Sequence, residues 1–301
     1  MTSARAGFIT PRVKQHLLLA LPLALAACRE PSALRLGTYN IRNLGAEPTD
    51  LDRLADVILE ARPDALALQE VVSDDAVVAL EGRLAARGRR FAHAVSRCGG
   101  KRSLHVGFLY DPRAVTLESL REFPSLDPAG GEACVGDDRS GLLAVFVHRG
   151  RRVHALTVHL AAGGEPERVE RRRRQWERLL TIARGLREGG AARVVVLGDA
   201  NSTGWLDDAH GERARITDGA RAAGFTVATA AVACTEFWRG PRGRFEPSVL
   251  DHVLATPETQ ASAATVHGYC ARLACRPHPL DQPTAEYAVV SDHCPVTVDI
   301  P

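Results

Sequence analysis

RVVVLGDANS, residues 193–202, is an unbroken apolar run that ends abruptly in polar chemistry. Val194 to Leu197 show no alternation of apolar and polar residues, which is the mark of a strand buried on both faces. The run stops at Gly198, and Asp199 and Asn201 follow at the tip, where α/β sheets place their ligands. Immediately upstream, Glu165–Arg187 reads as a long helix, and before it Val153–Leu160 reads as a strand ending in His159. A strand–helix–strand unit results. The same unit opens the chain: LRLGTYNI (34–41) is a strand carrying Asn40. Thr49–Ala61 is a helix, with Leu51, Leu54, Val57 and Ile58 at helical spacing and Pro63 as its stop, and Asp64–Val71 is a buried strand carrying Glu70. A second helix, Ser73–Arg87, is capped by Ser73 or Asp74. Between the two units lie β-type segments at Phe91–Ser96, His105–Tyr110, Val115–Phe123 and Gly141–His148. Beyond them come a helix near Arg213–Ala223 and strands near Val249–Ala255, Ala263–Tyr269 and Pro295–Ile300. Two such units with antiparallel ribbons between them predict two mixed β-sheets packed face to face with outer helices. No Pro/Ser-rich linker or fixed-period repeat divides residues 36–301, so one domain is expected.

The bulk numbers suit an ordinary globular protein: 301 residues, 45% hydrophobic, 25% charged, and only 5% aromatic, so Ala, Val and Leu must fill the core. The formal charge is +2, but residues 1–27 hold Arg5, Arg12 and Lys14 and no acid, leaving −1 for the remainder. That balance lacks the basic excess of a nonspecific nucleic-acid binder, while permitting a local basic groove.

Residues 1–27 read as a signal peptide, with a cationic start and an apolar stretch from Leu17 to Ala27 too short to span a bilayer. The stretch ends Leu25-Ala26-Ala27-Cys28, which resembles a bacterial lipobox and makes Cys28 the expected lipidation site. Residues 28–35 then form a tether, and Arg29 after the cysteine favours the outer membrane or cell surface. The competing reading is a plain secretory signal with an incidental cysteine. Six further cysteines in an exported chain imply disulfides, and no CxxC spacing suggests a metal site. Six allow fifteen pairings; Cys98 with Cys134 and Cys270 with Cys275 are expected, because each pair lies in or beside loop-like sequence.

The chemistry is concentrated at strand ends: TYNIRNLG with Asn40, LALQEV with Glu70, LTVHLAAG with His159, VVVLGDANS with Asp199 and Asn201, VLDHVLA with Asp251, and VVSDHCPV with Asp292 and His293. Each alone is common; their order along one chain is not. Together they resemble the endonuclease/exonuclease/phosphatase superfamily, which includes deoxyribonuclease I, repair exonucleases, inositol polyphosphate 5-phosphatases and neutral sphingomyelinases. The resemblance covers Leu36 to Ile300 and implies a four-layer α/β sandwich.

It also implies roles. Glu70 holds Mg²⁺ or Mn²⁺ with Asn40 beside it and Asp292 as a further metal-side carboxylate. Asp199 and Asn201 orient or activate the attacking water, His293 serves as general base or stabilises the phosphoryl oxygen with Asp251 orienting it, and His159 donates to the phosphate or assists the leaving group. The physical reasons agree: a phosphodiester is anionic, so a cation on hard oxygen ligands offsets the developing charge, and a histidine with an acidic partner can exchange protons near neutrality. Arg42, in YNIRNLG, and Arg139, in DDRSGLLAVF, stand where deoxyribonuclease I carries arginines, which makes both candidate phosphate contacts; a surface salt bridge is the alternative for Arg139.

Two departures weigh against a plain deoxyribonuclease. Val72 stands where that enzyme has a groove-reading arginine, and Ser103–Tyr110 offers His159 no acidic partner, with His105 as the available substitute or simply a strand-end histidine. The run Arg171–Arg174 is read as a solvated helix face pairing with Glu167, Glu170 and Glu177. Trp205, Phe237 and Trp238 either line a groove or cover a small core. The expected function is therefore a monomeric, divalent-metal-dependent phosphodiesterase, with DNA favoured over lipid as substrate and an extracytoplasmic endonuclease as the leading form. A sphingomyelinase-type lipid phosphodiesterase and a catalytically inactive surface binding module are the alternatives.

Overall fold

The computed structural model describes residues 33–100, 102–124, 126–127, 134, 139–208 and 211–301. Cys28 and the signal and tether readings lie outside these residues.

The elements run β1 (Leu34–Leu44), α1 (Leu51–Ala61), β2 (Ala65–Val71), α2 (Asp74–Ala86), β3 (Ala92–Val95), β4 (His105–Tyr110), β5 (Thr116–Phe123), β6 (Gly141–His148), β7 (Arg151–His159), α3 (Pro166–Glu188) and β8 (Val194–Asp199). Then follow α4 (Glu212–Ala222), β9 (Thr226–Val227), β10 (Glu236–Arg239), β11 (Arg244–Ser248), β12 (Asp251–Ala255), β13 (Thr265–Val266), α5 (Gly268–Arg272), β14 (His278–Pro279), α6 (Ala285–Val289) and β15 (Val296–Ile300). One six-stranded sheet has the order β13-β15-β1-β2-β4-β3 and the other β5-β6-β7-β8-β12-β9. Each contains one parallel pair, β1 with β2 and β7 with β8, made by the two strand–helix–strand units.

The side-chain period of two sorts each strand between two cores. In β8, Val195 and Leu197 join Leu36, Ala67, Phe108 and Val298 between the sheets, while Val194 and Val196 pack outward with Trp176 and Leu179 of α3 and Ile216 of α4. In β2, Ala65 and Ala67 face inward, and Leu66 and Leu68 meet Leu54 and Ile58 of α1 and Leu80 of α2. Helices, sheet, sheet, helices: the four layers follow. Gly198 is obligatory in this stack, because its φ is 141° and a Cβ there would lie 2.1 Å from the Val158 carbonyl oxygen of the adjacent strand.

Three features depart from the sequence reading. The segment expected as a strand over Ala263–Tyr269 is strand only at Thr265–Val266; Gly268 then turns the chain at φ 65° into α5. A small third sheet, β10-β11-β14, was not anticipated. The cysteines pair as Cys98–Cys134, as expected, but the Cys270–Cys275 expectation is wrong: the bonds are Cys270–Cys294 and Cys234–Cys275. Cys270 points from α5 into the core, where its N–H reaches the Cys294 sulfur, whereas Cys275, past the end of the helix and in a left-handed conformation (φ 54°), bonds to Cys234 in the loop before β10.

Candidate active site

The edge shared by the two large sheets gathers the candidate residues. Asn40, Glu70, His159 and Asp199 stand at or near the C-terminal ends of β1, β2, β7 and β8, as expected. Asp251 and His293 arrive differently. Asp251 is the first residue of β12, which runs antiparallel to β8 and places it in register with Asp199. His293 precedes β15, which is antiparallel to β1. Strand starts from antiparallel neighbours thus meet strand ends from parallel ones.

The backbone at this edge is bent on purpose. Arg42, Asn43, Glu70 and Asn201 all have positive φ (42°, 50°, 63° and 50°), and the ladder register shifts between Asn40 and Leu44 and between Gln69 and Val71. Bulges of this kind re-aim side chains, and strain of this kind collects at functional edges. Glu70 is thereby turned so that Oε1 accepts from Asn40 Nδ2 at 3.2 Å and Oε2 from the Asn43 N–H at 3.1 Å. Beneath it, Thr38 donates to Gln69 Oε1 (3.1 Å) and Gln69 Nε2 donates to Thr157 Oγ1 (3.0 Å), a buried chain that pins one sheet to the other directly below the site. The sequence reading noticed Gln69 only as Glu70's neighbour.

Asp199 is the hub. Its Oδ2 accepts from Asn40 Nδ2 at 3.0 Å and lies 3.3 Å from His159 Nε2 and 3.8 Å from His293 Nε2; its Oδ1 accepts from the Asn201 N–H at 2.8 Å. Burial raises its pKa; the His293 charge opposes this, and Asp251 adds to it. His293 Nδ1 lies 2.8 Å from Asp251 Oδ2. Burial by itself would lower the imidazole's pKa, but Asp251, Asp199 and Asp292 outweigh it and hold it well above the ordinary histidine value. His159 goes the other way: burial, then the Arg139 and His293 charges, keeps it neutral. Its Nε2–H therefore faces Asp199, with Glu70 Oε1 at 3.7 Å, and Nδ1 has no partner among the described residues. The missing acidic partner of His159 is thus the site's own carboxylates. His105 is not a substitute, since its Nδ1–H donates to the Ser96 carbonyl at 2.8 Å.

The remaining candidates divide. Arg139 belongs to the site: its guanidinium donates to the Leu160 carbonyl at 2.8 Å, the same oxygen that Asn201 Nδ2 reaches at 3.1 Å, and it feels the charges of Glu70 and Asp199. Arg42 does not present its guanidinium to a phosphate. It donates to the Tyr287 and Ala288 carbonyls at 2.7 and 3.2 Å, so it fastens β1 to α6. The reason is the left-handed turn at Arg42, whose N–H in turn donates to Asn40 Oδ1 at 3.0 Å. That bond fixes the Asn40 amide with its NH₂ towards the carboxylates, so Asn40 orients Glu70 and Asp199 through its nitrogen. Asp292 is partly exposed, its main-chain oxygen accepting from the Phe237 N–H and the Tyr269 hydroxyl, and its charge reaches His293 and Glu236. Ser291 and Thr235, which the sequence reading passed over, are buried fasteners: Ser291 Oγ donates to the Asn40 carbonyl (2.7 Å) and accepts from His293 N–H (3.1 Å), and Thr235 Oγ1 accepts from Leu250 and Asp251 N–H.

The run Arg171–Arg174 is not one solvated face. Arg173 pairs with Glu170 and Glu177 as expected, but Arg174 reaches Asp127, and Arg172 is buried, gripping Glu212 through two bonds (2.7 and 2.9 Å) while donating to the Ala161 and Gly163 carbonyls. Of the three aromatics, Phe237 is core, Trp205 is buried against His252 at 4.3 Å, and Trp238 is 47% exposed.

A divalent cation fits this donor set. No group of three metal-ligating side chains forms a protein cage among the described residues, and one or two carboxylates with retained waters is how Mg²⁺ is usually held. Glu70, bent out of its strand at the rim, is the hard oxygen group available, with Asn40 orienting it.

Comparison with known proteins agrees with this geometry. Residues 37–293 match the model of the Endonuclease/Exonuclease/phosphatase family. Among solved structures, truncated Caenorhabditis elegans TDP2 is similar at 18% identity and TM-score 0.62, over 89% of this chain and 97% of that one. D. rerio TDP2 complexed with single strand DNA product is similar at 15% identity and TM-score 0.62, over 90% and 99%. A Bacteroides thetaiotaomicron mannosyl-6-phosphatase is similar at 16% identity and TM-score 0.62, over 89% and 100%. No curated protein sequence matches.

Proposed function

The chain belongs to the endonuclease/exonuclease/phosphatase family, whose members hydrolyse phosphate esters, and from that premise we propose that it is a divalent-metal-dependent phosphodiesterase that cleaves nucleic acid outside the cytoplasm. The observation that carries the reading is the buried set His293–Asp251, Asp199 and Asn201 facing Glu70 across one sheet edge. A catalytically inactive binding module would have no need to bury these carboxylates together.

The residues act as follows. Asp199 and Asn201 hold the attacking water, and Asp199, with its raised pKa, takes the water's proton as the oxygen–phosphorus bond forms. His293, protonated and held by Asp251, donates through Nε2 to a non-bridging phosphoryl oxygen as charge builds there. Arg139, held at the Leu160 carbonyl beside Asn201, offsets the phosphate's charge. The P–O bond to the leaving alcohol then breaks, and the alcohol takes a proton from solvent. Glu70, oriented by Asn40, would hold a divalent cation, which when bound would supply Lewis-acid offset of the charge that develops in the reaction.

Nucleic acid is placed first because Arg139 sits within the site and a DNA-product complex is among the similar structures. Extracytoplasmic placement is supported by three disulfides and by the lipobox-like stretch ending at Cys28. Assaying plasmid DNA, RNA and sphingomyelin with and without EDTA tests the substrate: cleavage of sphingomyelin alone would replace the nuclease reading by the lipid one. Fractionation tests the anchor. Cys28→Ala is expected to release the protein from membranes, and retention would refute lipidation.

A further inference from the structure

Beside the site lies a cavity of about 790 Å³ lined by Trp205, Leu206, Trp238, Pro247, Leu250 and, at its inner end, Glu236. Two of its walls are among the few large apolar side chains that the described residues expose, Leu206 at 48% and Trp238 at 47%. An indole face left open in a concavity is costly to hydrate and suits stacking against a ring.

Glu236 is the one acid of the cavity wall that is buried. It is only 4% exposed, and its Oε2 is buried with no hydrogen-bond partner among the described residues. Buried polar atoms are usually satisfied, and of the several unpartnered ones among the described residues Glu236 Oε2 is the one whose residue lines this cavity, where a ligand atom can complete it. Its position is fixed rather than accidental. The Phe237 N–H donates to the Asp292 carbonyl at 3.1 Å and the Cys294 N–H to the Thr235 carbonyl at 2.8 Å, which brackets Glu236 opposite His293 in a two-strand bridge. The carboxyl therefore stands at the junction between the reacting centre and the cavity. At the cavity's rim the cation Arg242 is already paired with Glu246 at 3.2 Å, and Asp207 adds a further acid, so a second phosphate finds little welcome there.

We propose that this cavity receives the alcohol part of the ester as a ring with free hydroxyls, stacked on Trp238 and hydrogen-bonded through a hydroxyl to Glu236. The proposal rests on the phosphodiesterase reading above and narrows its substrate. The deoxyribose of a DNA strand has both exocyclic oxygens esterified and leaves Glu236 unpartnered, whereas a ribose 2′-hydroxyl or a hexose hydroxyl satisfies it. Glu236 is thus a specificity residue.

The test compares ratios, so that a general loss of rate does not mimic it. Wild-type protein, Glu236→Gln and Glu236→Leu are assayed with Mg²⁺ on an oligouridylate, the matching oligodeoxyuridylate and glucose 6-phosphate. Wild type is expected to favour the ribose over the deoxyribose substrate by about tenfold or more in kcat/KM, because a site built around a hydroxyl rejects its absence. Glu236→Leu is expected to bring that ratio towards one and Glu236→Gln, which keeps shape and hydrogen bonding, to retain part of it. Hydrolysis of glucose 6-phosphate with both oligonucleotides untouched would overturn the phosphodiesterase reading, since that substrate is a monoester, while supporting the subsite with a carbohydrate as its ring. Where an oligonucleotide is cleaved, a wild-type ratio of one or below, or a ratio that Glu236→Leu leaves unchanged, overturns the proposal. Binding of uridine, 2′-deoxyuridine and glucose is measured in EDTA by calorimetry in parallel. Should no ester be hydrolysed, the phosphodiesterase reading fails while this titration still decides the subsite: uridine or glucose must bind more tightly than 2′-deoxyuridine, and only through Glu236.

Discussion

His293 and His159 show how one edge sets two histidines to opposite states. Both are buried, which favours the neutral form. His293 is charged because Asp251 bonds its Nδ1 and Asp199 faces its Nε2, while His159 has Arg139 nearby and stays neutral. Asp251→Asn removes the largest charge that opposes burial, so the His293 pKa should fall, and hydrolysis should drop by roughly 10²–10⁴, with the alkaline limb of the pH–rate profile moving to lower pH. An unchanged limb would show that Asp251 does not set the histidine's state. His252, next to Asp251, behaves differently. Its ring bonds Ser202 and Thr229, and burial lowers its pKa to about 4. The unfolded chain takes up a proton near pH 6.5 and the folded one only near 4, so the stabilising contribution of His252 is complete above 6.5 and is lost as pH falls towards 4, by about 3 kcal/mol. Denaturant unfolding of wild type and His252→Asn should show their stability difference shrinking over that range; a difference independent of pH would contradict it.

Among the elements, the long buried strands were legible, while the short strands of the third sheet and the fasteners were not. The sequence marks β2 and β8 because burial on both faces leaves continuous apolar runs, and it marks α1 through Leu54, Val57 and Ile58 on one face. It also delivered Glu70, Asp199, Asn201, Asp251, His159 and His293, since motif order survives where single residues mean little. It missed what depends on where a chain turns. A basic run on a helix looks the same whether its middle residue meets water or Glu212, and Arg172 met Glu212 because α4 packs on α3. Likewise, Cys270 and Cys275 are five residues apart in sequence, but one lies in α5 and the other beyond its end, and they bond to Cys294 and Cys234 respectively. Arg172 ties α3 to α4 and to Thr203, two residues from Asn201. Arg172→Met should leave Glu212 buried and unpaired and cost about 3–5 kcal/mol in denaturant unfolding, whereas a loss under 1 kcal/mol would mean that the pair is not closed to water. Removing the Cys270–Cys294 bond with paired serines should cost about 2–4 kcal/mol and lower activity as well, because Cys294 adjoins His293; full activity in the destabilised variant would separate the two.

At the scale of the molecule, two strand–helix–strand units each contribute a parallel pair, and the antiparallel neighbours β12 and β15 bring Asp251 and His293 to the edge where those pairs end. The fold therefore assembles one site from distant parts of the chain, and hydrolysis should depend on a cation held at Glu70, the site carboxylate whose backbone has positive φ. The direct test is hydrolysis of bis(p-nitrophenyl) phosphate by wild type and Glu70→Ala, each before EDTA, after EDTA and after restoring Mg²⁺. Wild-type activity is expected to vanish with EDTA and return with Mg²⁺, and Glu70→Ala to lose roughly 10²–10³ in rate. Activity that survives both EDTA and Glu70→Ala would contradict the account.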